Sequence, residues 1–407
     1  MPSSKEPSDE RAVWAELLRY NARLVGPERD PALLRLKLDR LCASPFGFLR
    51  GTFHLFARDW QQTHQPAAFA LAAQPIVGDL HIENFGAYRA AQDVTVFDVN
   101  DFDESGQGSP ALDLARMAVS IVLADPSPSE QRASAQIESF VGAWHEAQQS
   151  GELGPMHTHD EDHPVRKLLS EAADGKRDAW LDKRVETAAG QRRFKESDKY
   201  QRVTDAPRVR AIEAALAGYG GALRELGFPE GWPRVLDVAT RVAGTGSLGR
   251  FRWAVLVESK KNKRGKERVL ELKEALPSSL EPARKGDPAA HVIAQQRLLQ
   301  GAVPAFLGVA QVDTLSCSVR ELQPTEAKVD VQSLHGEDLT ALCGACGTAL
   351  GRLHRRGGSK DLTNTGVSQS ALTRATVTFA LRYAELVRAD HALLKRKRQE
   401  LEHELGL

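Results

Sequence analysis

Three oxygen-bearing side chains stand at a spacing that suits phosphoryl transfer. In VGDLHIENFG (77–86), Asp79 and Asn84 lie five residues apart, and Asp101 follows in VFDVNDFDESGQGSPALDLAR (96–116). Such a transfer needs a carboxylate to position and deprotonate an acceptor hydroxyl. It also needs hard oxygen ligands that hold Mg²⁺ against the phosphates. Asp79 suits the first role, and Asn84 and Asp101 suit the second. Asp and Asn also cap turns in ordinary loops, so an isolated D-x-x-x-x-N says little. Here Phe102, Asp103, Gly106, Gly108, Pro110 and Asp113 follow at set intervals and lead straight into an apolar helix.

A second group lies far downstream. GTGSLG carries Gly244, Thr245, Gly246, Ser247 and Gly249, and RFRWAVLVE follows it. A dinucleotide fingerprint would require a helix next. The alternation with Val, Leu and Trp predicts a strand instead, and glycines in a strand–loop–strand hairpin let backbone amides approach phosphates closely. Lys273, in VLELKEA, then falls on a third strand from which it would reach the phosphates.

The elements that must position these groups are legible in outline. Helices are expected from Arg11 to Leu24 and from Pro31 to Cys42, with a break at Ser44-Pro45-Phe46-Gly47. Ala67 to Val77 and Val94 to Val99 read as strands. Ser109 is a natural cap and Pro110 a first-turn residue for a helix that is apolar nearly all round. Residues 150–206 are charged and poor in large apolar side chains, and are expected to be a mobile connection or insertion. Helical spacing returns from Ala206 to Leu226. Val235–Val242, Phe251–Glu258 and Arg268–Glu274 predict an antiparallel meander. A helix from His291 to Gln300 follows, then strands at Ala305–Gln311 and Leu315–Leu322. The remainder reads as helices from Leu339 and from Ala371 to Leu405.

The chain has 407 residues, with 54 basic against 54 acidic side chains and a hydrophobic fraction of 42%. That length predicts two lobes or two domains. The neutral balance gives no case for nucleic acid or for an anionic membrane. No run of eighteen apolar residues occurs, and MPSSKEPSDERAVW has no apolar core, so neither a membrane span nor a signal peptide is expected. Cys42, Cys317, Cys343 and Cys346 do not form a disulfide framework. A soluble cytoplasmic protein is the expectation.

GDLHIEN followed by NDFDESGQGSPALDLA resembles the catalytic core of the aminoglycoside-phosphotransferase branch of the protein-kinase-like superfamily. That branch typically shows HGD-L-H-x-x-N and then I-D-F-x-x-x-G-x-G-x-P-x-x-D-L-A. The resemblance implies that Asp79 is the catalytic Asp, that Asn84 and Asp101 hold metal, and that Asp113 braces the catalytic loop. His81 and Asp103 would support the site. Val77 stands where the His before Gly-Asp would be. Kinases pair the strand lysine with a Glu of the following helix, but HVIAQQRLLQ has none, so Gln295, Gln296 or Glu274 is expected to substitute.

The order is also unusual, because the glycine loop and lysine follow the catalytic loop instead of preceding it. CGTALGRLHRRGG (346–358) resembles the L-x-x-L-H helix that normally comes shortly before that loop. The resemblance therefore implies an α+β, two-lobed, protein-kinase-like fold in circularly permuted order. Residues 1–232 would begin a helical lobe and carry the catalytic loop and metal-binding strand. Residues 233–325 would form a small antiparallel β lobe for the nucleotide, and 326–407 would complete the large lobe. The layout is similar to a bacterial family of unknown function marked by GD-x-H-x-x-N-F-G and N-D-F-D-E, with SPFGFLRG (44–51), GTGSLG, LELKEA and VRELQP also shared.

The expected activity is ATP- and Mg²⁺-dependent transfer to an unidentified hydroxyl acceptor. An inactive nucleotide-binding regulator and an AMP-transferring enzyme are the alternatives. Weaker features are read as structural: Cys343-x-x-Cys346 as core, His157, His159, Asp160, Asp162 and His163 as a solvated loop, and Lys395–Arg398 as a helix face. Arg50 and Arg320 are either phosphate contacts or salt-bridge partners.

Overall fold

In the computed structural model of the chain, residues 9–91, 94–125, 129–156, 163–224, 232–258, 267–323, 327–328, 331, 334, 336–358 and 366–407 are described. Within them, β-branched and aromatic alternation after Pro233 builds an antiparallel sheet. Leu315–Leu322, Arg268–Glu274, Arg252–Val257 and Val235–Arg241 are successive neighbours, with Gly308–Val312 at one edge and Tyr200–Arg202 at the other. The sheet thus reaches back into chain that the sequence assigns to the first segment, 1–232. The helix Ala206–Arg224 belongs with it as well, packing Ile212, Leu216 and Tyr219 against Trp253, Val255, Leu270 and Val319.

The period of two sorts the sheet's side chains. Leu270 and Leu272 join the core under that helix, while Val269 packs on the opposite face with Ala239, Ala254 and Leu256. Glu271 and Lys273 share the parity of Val269 and so turn away from the helix. Part of this second face is covered by Leu181, Val185, Phe194 and Tyr200.

That cover corrects the reading of 150–206 as a mobile connection. Its described part holds the helices Pro164–Ala173 and Arg177–Asp182 and the hairpin Val185–Ala188/Gln191–Phe194. Its charges are used in place of large apolar groups. Arg177 lies 2.9 Å from Glu321, within the sheet, and Arg192 lies 3.0 Å from Glu267, just before the strand Arg268–Glu274, and both glutamates are buried. His163 caps the first of these helices by accepting from the Val165 amide at 3.2 Å. His157, His159, Asp160 and Asp162 lie outside the described residues.

The other half of the molecule is helical. Ser109 Oγ accepts from the Ala111 amide, Pro110 follows it, and Pro110–Ala124 is buried as far as Leu123, as its apolar sequence requires. The helix Gly336–Arg356 runs along Glu130–Ser150. A Cβ at Gly347 would strike the Phe140 carbonyl and one at Gly351 the Trp144 carbonyl, so these glycines set the close approach. Cys343 and Cys346 lie buried in this core, and burial pushes the Cys343 thiol up to about 12. Gln369–Glu404 closes the bundle. Its basic stretch forms surface ion pairs such as Arg396–Glu10 at 2.9 Å and Arg398–Glu402 at 2.9 Å. Among the described residues, no helix is long and apolar enough to cross a membrane.

One expected strand is mostly something else. Ala67–Phe69 is a single 3₁₀ turn, and only Gln74–Ile76 is extended, paired with Gly106–Gly108. A hairpin of Phe85–Arg89 with Thr95–Val99 lies between them in sequence. The chain is therefore an α+β protein whose sheet and helices meet at a cleft lined from both sides.

Candidate active site

The floor of the cleft is built on a braced loop. Gly78 has φ +83°, and a Cβ there would collide with the Glu104 carbonyl, so the turn before Asp79 requires glycine. The amides of Val77 and Gly78 donate to the Asp113 carboxylate at 2.9 and 2.8 Å. His354 Nε2 lies 2.9 Å from the same carboxylate. The Trp144 indole N–H, which can only donate, lies 3.0 Å from His354 Nδ1, so Nδ1 accepts and the ring proton sits on Nε2, directed at Asp113. All three side chains are buried.

Asp79 projects from this loop into the cleft. Its Oδ1 is paired with Arg116, at 2.6 Å from Nη2 and 3.2 Å from Nε. Arg116 is fully buried, donates from Nη2 to the Leu49 carbonyl at 2.5 Å, and lies over the rings of Phe53 and Phe56. Burial pushes the Asp79 carboxyl upward and Arg116 draws it back, leaving it above its ordinary value. Asn84 donates from Nδ2 to the Asp79 carbonyl at 2.7 Å, which leaves its Oδ1 as the oxygen available to a ligand. His81 is buried beside the cleft with Phe46 edge-on to its ring.

Asp101 lines the same cleft with 47% of its side chain exposed. Burial pushes it up, but Lys273, the Asp103 amide, Arg320 and Arg252 outweigh this, and its carboxyl is held below the usual range. Lys273 Nζ is 2.5 Å from Asp103 Oδ2 and 3.9 Å from Asp101 Oδ1. The expected glutamine or glutamate partner of Lys273 is thus corrected. Gln296 donates instead to Gln300 Oε1 at 2.9 Å, and Gln300 donates to the Val99 carbonyl at 2.7 Å. Glu274 points to the opposite face and pairs with Arg29 at 2.6 Å. Asp103, two residues past Asp101, pairs with Lys273 where a helix residue was expected to.

The glycine loop spans Val235–Arg241 and Arg252–Val257 as predicted, and Gly244, Thr245, Gly246 and Ser247 line the cleft. Gly244 and Gly249 have φ of +74° and +89°. The loop is tied to the helices. Arg40 donates to the Gly244 carbonyl at 2.6 Å, and Arg29 donates to the Gly249 carbonyl at 2.8 Å. The buried Arg250 just beyond it reaches Asp103 at 3.2 Å and the Tyr20 hydroxyl at 3.1 Å. Sequence reasoning missed Arg250, Tyr20 and Arg116, whose partners are distant in the chain. The D-L-A-R run did contain Arg116 one turn past Asp113.

The ceiling is cationic. Glu271 is wholly buried and contacts three arginines from other strands of the sheet: Arg241 and Arg252 at Oε1, the latter at 2.5 Å, and Arg320 at Oε2, 2.7 Å away. Burial favours its protonation, but the three guanidinium groups outweigh that and keep it ionised well below the ordinary range. Arg241, Arg252, Arg320 and Lys273 all line the cleft. Arg50 lines it too, pairing with Glu83 at 2.8 Å, so both Arg50 and Arg320 are salt-bridge partners at the cleft wall.

Among the described residues, no three His, Cys, Asp or Glu side chains gather into a metal cage. Mg²⁺ seldom uses one; it takes one or two protein oxygens and completes its shell with phosphate and water. Asn84 and Asp101 fit that donor set. In comparison with known proteins, residues 29–397 match the model of a family described as "Uncharacterized protein conserved in bacteria (DUF2252)". No curated protein and no solved structure matches the chain.

Proposed function

We propose a phosphotransferase function for this chain, which belongs to the bacterial family DUF2252. The reading is of an ATP- and Mg²⁺-dependent enzyme on a two-lobed, kinase-like fold in permuted order. One observation carries it. Asp79, Asn84 and Asp101 from early in the chain face Lys273 and the glycine loop from late in the chain across one cleft. The permutation is supported by His354, which comes from the last third of the sequence to brace Asp113 and, through it, the loop of Asp79.

In this reading an acceptor hydroxyl docks against the Oδ2 of Asp79, since Arg116 occupies Oδ1. The acceptor oxygen bonds to the terminal phosphorus of ATP as the bond from that phosphorus to the bridging oxygen breaks. The hydroxyl proton passes to Asp79, and ADP leaves. Arg116 keeps Asp79 oriented and favours its ionised form. Lys273, held by Asp103, faces the phosphates, and the loop amides contribute further donors. Mg²⁺ held by Asn84 and Asp101 would supply charge neutralisation on the phosphate oxygens.

A second reading is transfer of AMP with the nucleotide reversed. The arginines of the ceiling favour it, because they give terminal phosphates another place to lie.

Calorimetry of ATP with and without Mg²⁺, on wild type and Asp101→Ala, tests the binding site. A gain in ATP affinity on adding Mg²⁺ that Asp101→Ala abolishes is the expected result. No binding under either condition removes the enzyme reading. Transfer of label from γ-labelled ATP, and not from α-labelled ATP, then selects phosphoryl over AMP transfer.

A further inference from the structure

The cleft is lined by apolar side chains, among them Val292, Ile293 and Leu307, and by a group of charges on the sheet. Here the cleft face of the sheet presents Arg252, Glu271 and Lys273 on adjacent strands, flanked by Arg241 and Arg320. The β-sheet parity that sends Leu270 and Leu272 into the core sends these charges to the ligand side.

Burying one carboxylate requires one good cationic partner. Glu271 has three, Arg241, Arg252 and Arg320. Glu271 works as an anchor that holds the guanidinium groups apart in fixed positions. Arg241 contributes a single hydrogen bond to it, leaving the rest of its fork toward the cleft. Arg252 uses Nε on Glu271 and Nη1 on the Ala243 carbonyl and Ser247 Oγ, which also locks it to the glycine loop. Guanidinium forks held in this way match phosphate oxygens.

We propose that Arg241, Arg252 and Arg320, set by Glu271, form an oligophosphate subsite beside Lys273, so that this cleft holds its donor chiefly by the phosphate chain. The inference rests on the reading of the cleft as a phosphate-donor site. It adds the class of donor recognised: linear oligophosphates, with the nucleoside dispensable for binding.

The test is calorimetry of sodium tripolyphosphate, ATP and adenosine, each with Mg²⁺, on the full chain. Tripolyphosphate is expected to bind within about tenfold of ATP and to compete with it, while adenosine gives no signal. Arg241→Gln is expected to weaken tripolyphosphate by roughly tenfold or more, the scale of a charge-assisted bond. Arg320→Gln gives the same comparison should Arg241→Gln fail to fold, judged by its thermal melt. Wild-type competition needs no variant at all. Tripolyphosphate binding without ATP binding upholds the subsite while removing the ATP reading. ATP binding that tripolyphosphate does not displace, or adenosine binding as tightly as ATP, overturns the subsite while leaving that reading intact.

Discussion

His354 and Asp113, 241 positions apart in sequence, meet at 2.9 Å, and this bond ties the end of one buried helix to the start of another. Asp113 in turn takes the amides of Val77 and Gly78, so the loop that presents Asp79 hangs from it. Removing the histidine leaves a buried carboxylate short of a donor. His354→Ala is expected to cost about 2–4 kcal/mol in urea unfolding, and Trp144→Phe about 1 kcal/mol. The double variant should lose less than the sum, because both act through one proton position. Additive losses would show that the chain of three side chains is not coupled.

Asp79 carries the pH dependence expected of turnover. Its folded value lies above the ordinary 3.8, so folding favours the protonated form. That contribution to stability is complete below pH 3.8 and is lost as pH rises through the folded value. A base must be ionised, so turnover should rise through the same window. Arg116→Gln removes the attraction that draws this value down, and the acid limb should move to higher pH. An unmoved limb would assign it to another group. Asp79→Asn should cut turnover by about two orders of magnitude or more with ATP affinity nearly unchanged.

The Lys273–Asp103 pair predicts an asymmetry between two neighbouring aspartates. Asp103→Asn frees Lys273 from its nearer anchor at 2.5 Å, while Asp101, at 3.9 Å, is left as the proposed metal ligand. ATP affinity measured without Mg²⁺ should fall for Asp103→Asn by roughly tenfold and change little for Asp101→Ala. With Mg²⁺ present, Asp101→Ala should become the more damaging change. Identical behaviour of the two variants in both conditions would remove the division of labour.

Lys37 is a buried ammonium site that the proposed chemistry does not use. Its side chain is fully enclosed, it lies 4.7 Å from the Tyr20 ring, and its Nζ finds no acceptor. Burial pulls its value down to about 7, helped by Arg250 and Arg23 and opposed by Glu104. The folded state favours the neutral amine. Its share of stability is therefore complete above about 10.5 and declines as pH falls toward 7. Lys37→Met should stabilise the protein at pH 7 by more than about 1 kcal/mol and flatten that slope. Unfolding curves at pH 7 and pH 9 give the comparison.

The two motifs were readable because each is local. Asp79, Asn84 and Asp101 fall within one short stretch, and Lys273 sits on a strand announced by its own alternation. Ser109 and Pro110 likewise marked the start of a helix from adjacent residues alone. What escaped has partners far away in sequence. Arg250 meets Tyr20 and Arg116 meets Asp79 through folding, and no periodicity records such meetings. The same holds for 163–202, where Arg177 and Arg192 attach the segment to buried glutamates in or next to the sheet. Ion pairing of this kind reads in sequence as solvated charge. Gln296 misled for the opposite reason: its place in the helix matched a familiar pattern, but Asp103 reaches Lys273 from nearer by.

The ties from Arg40 to Gly244 and from Arg29 to Gly249 bear on time as well as on shape. A phosphate-covering loop that swings freely lets its ligand come and go as fast as diffusion permits. This one is fastened at both of its glycine corners, and Arg250 fastens the strand that leaves it. In the proposed reading, exchange waits for those fastenings to part, so how long a ligand stays is set in part by Arg29 and Arg40, which do not line the cleft.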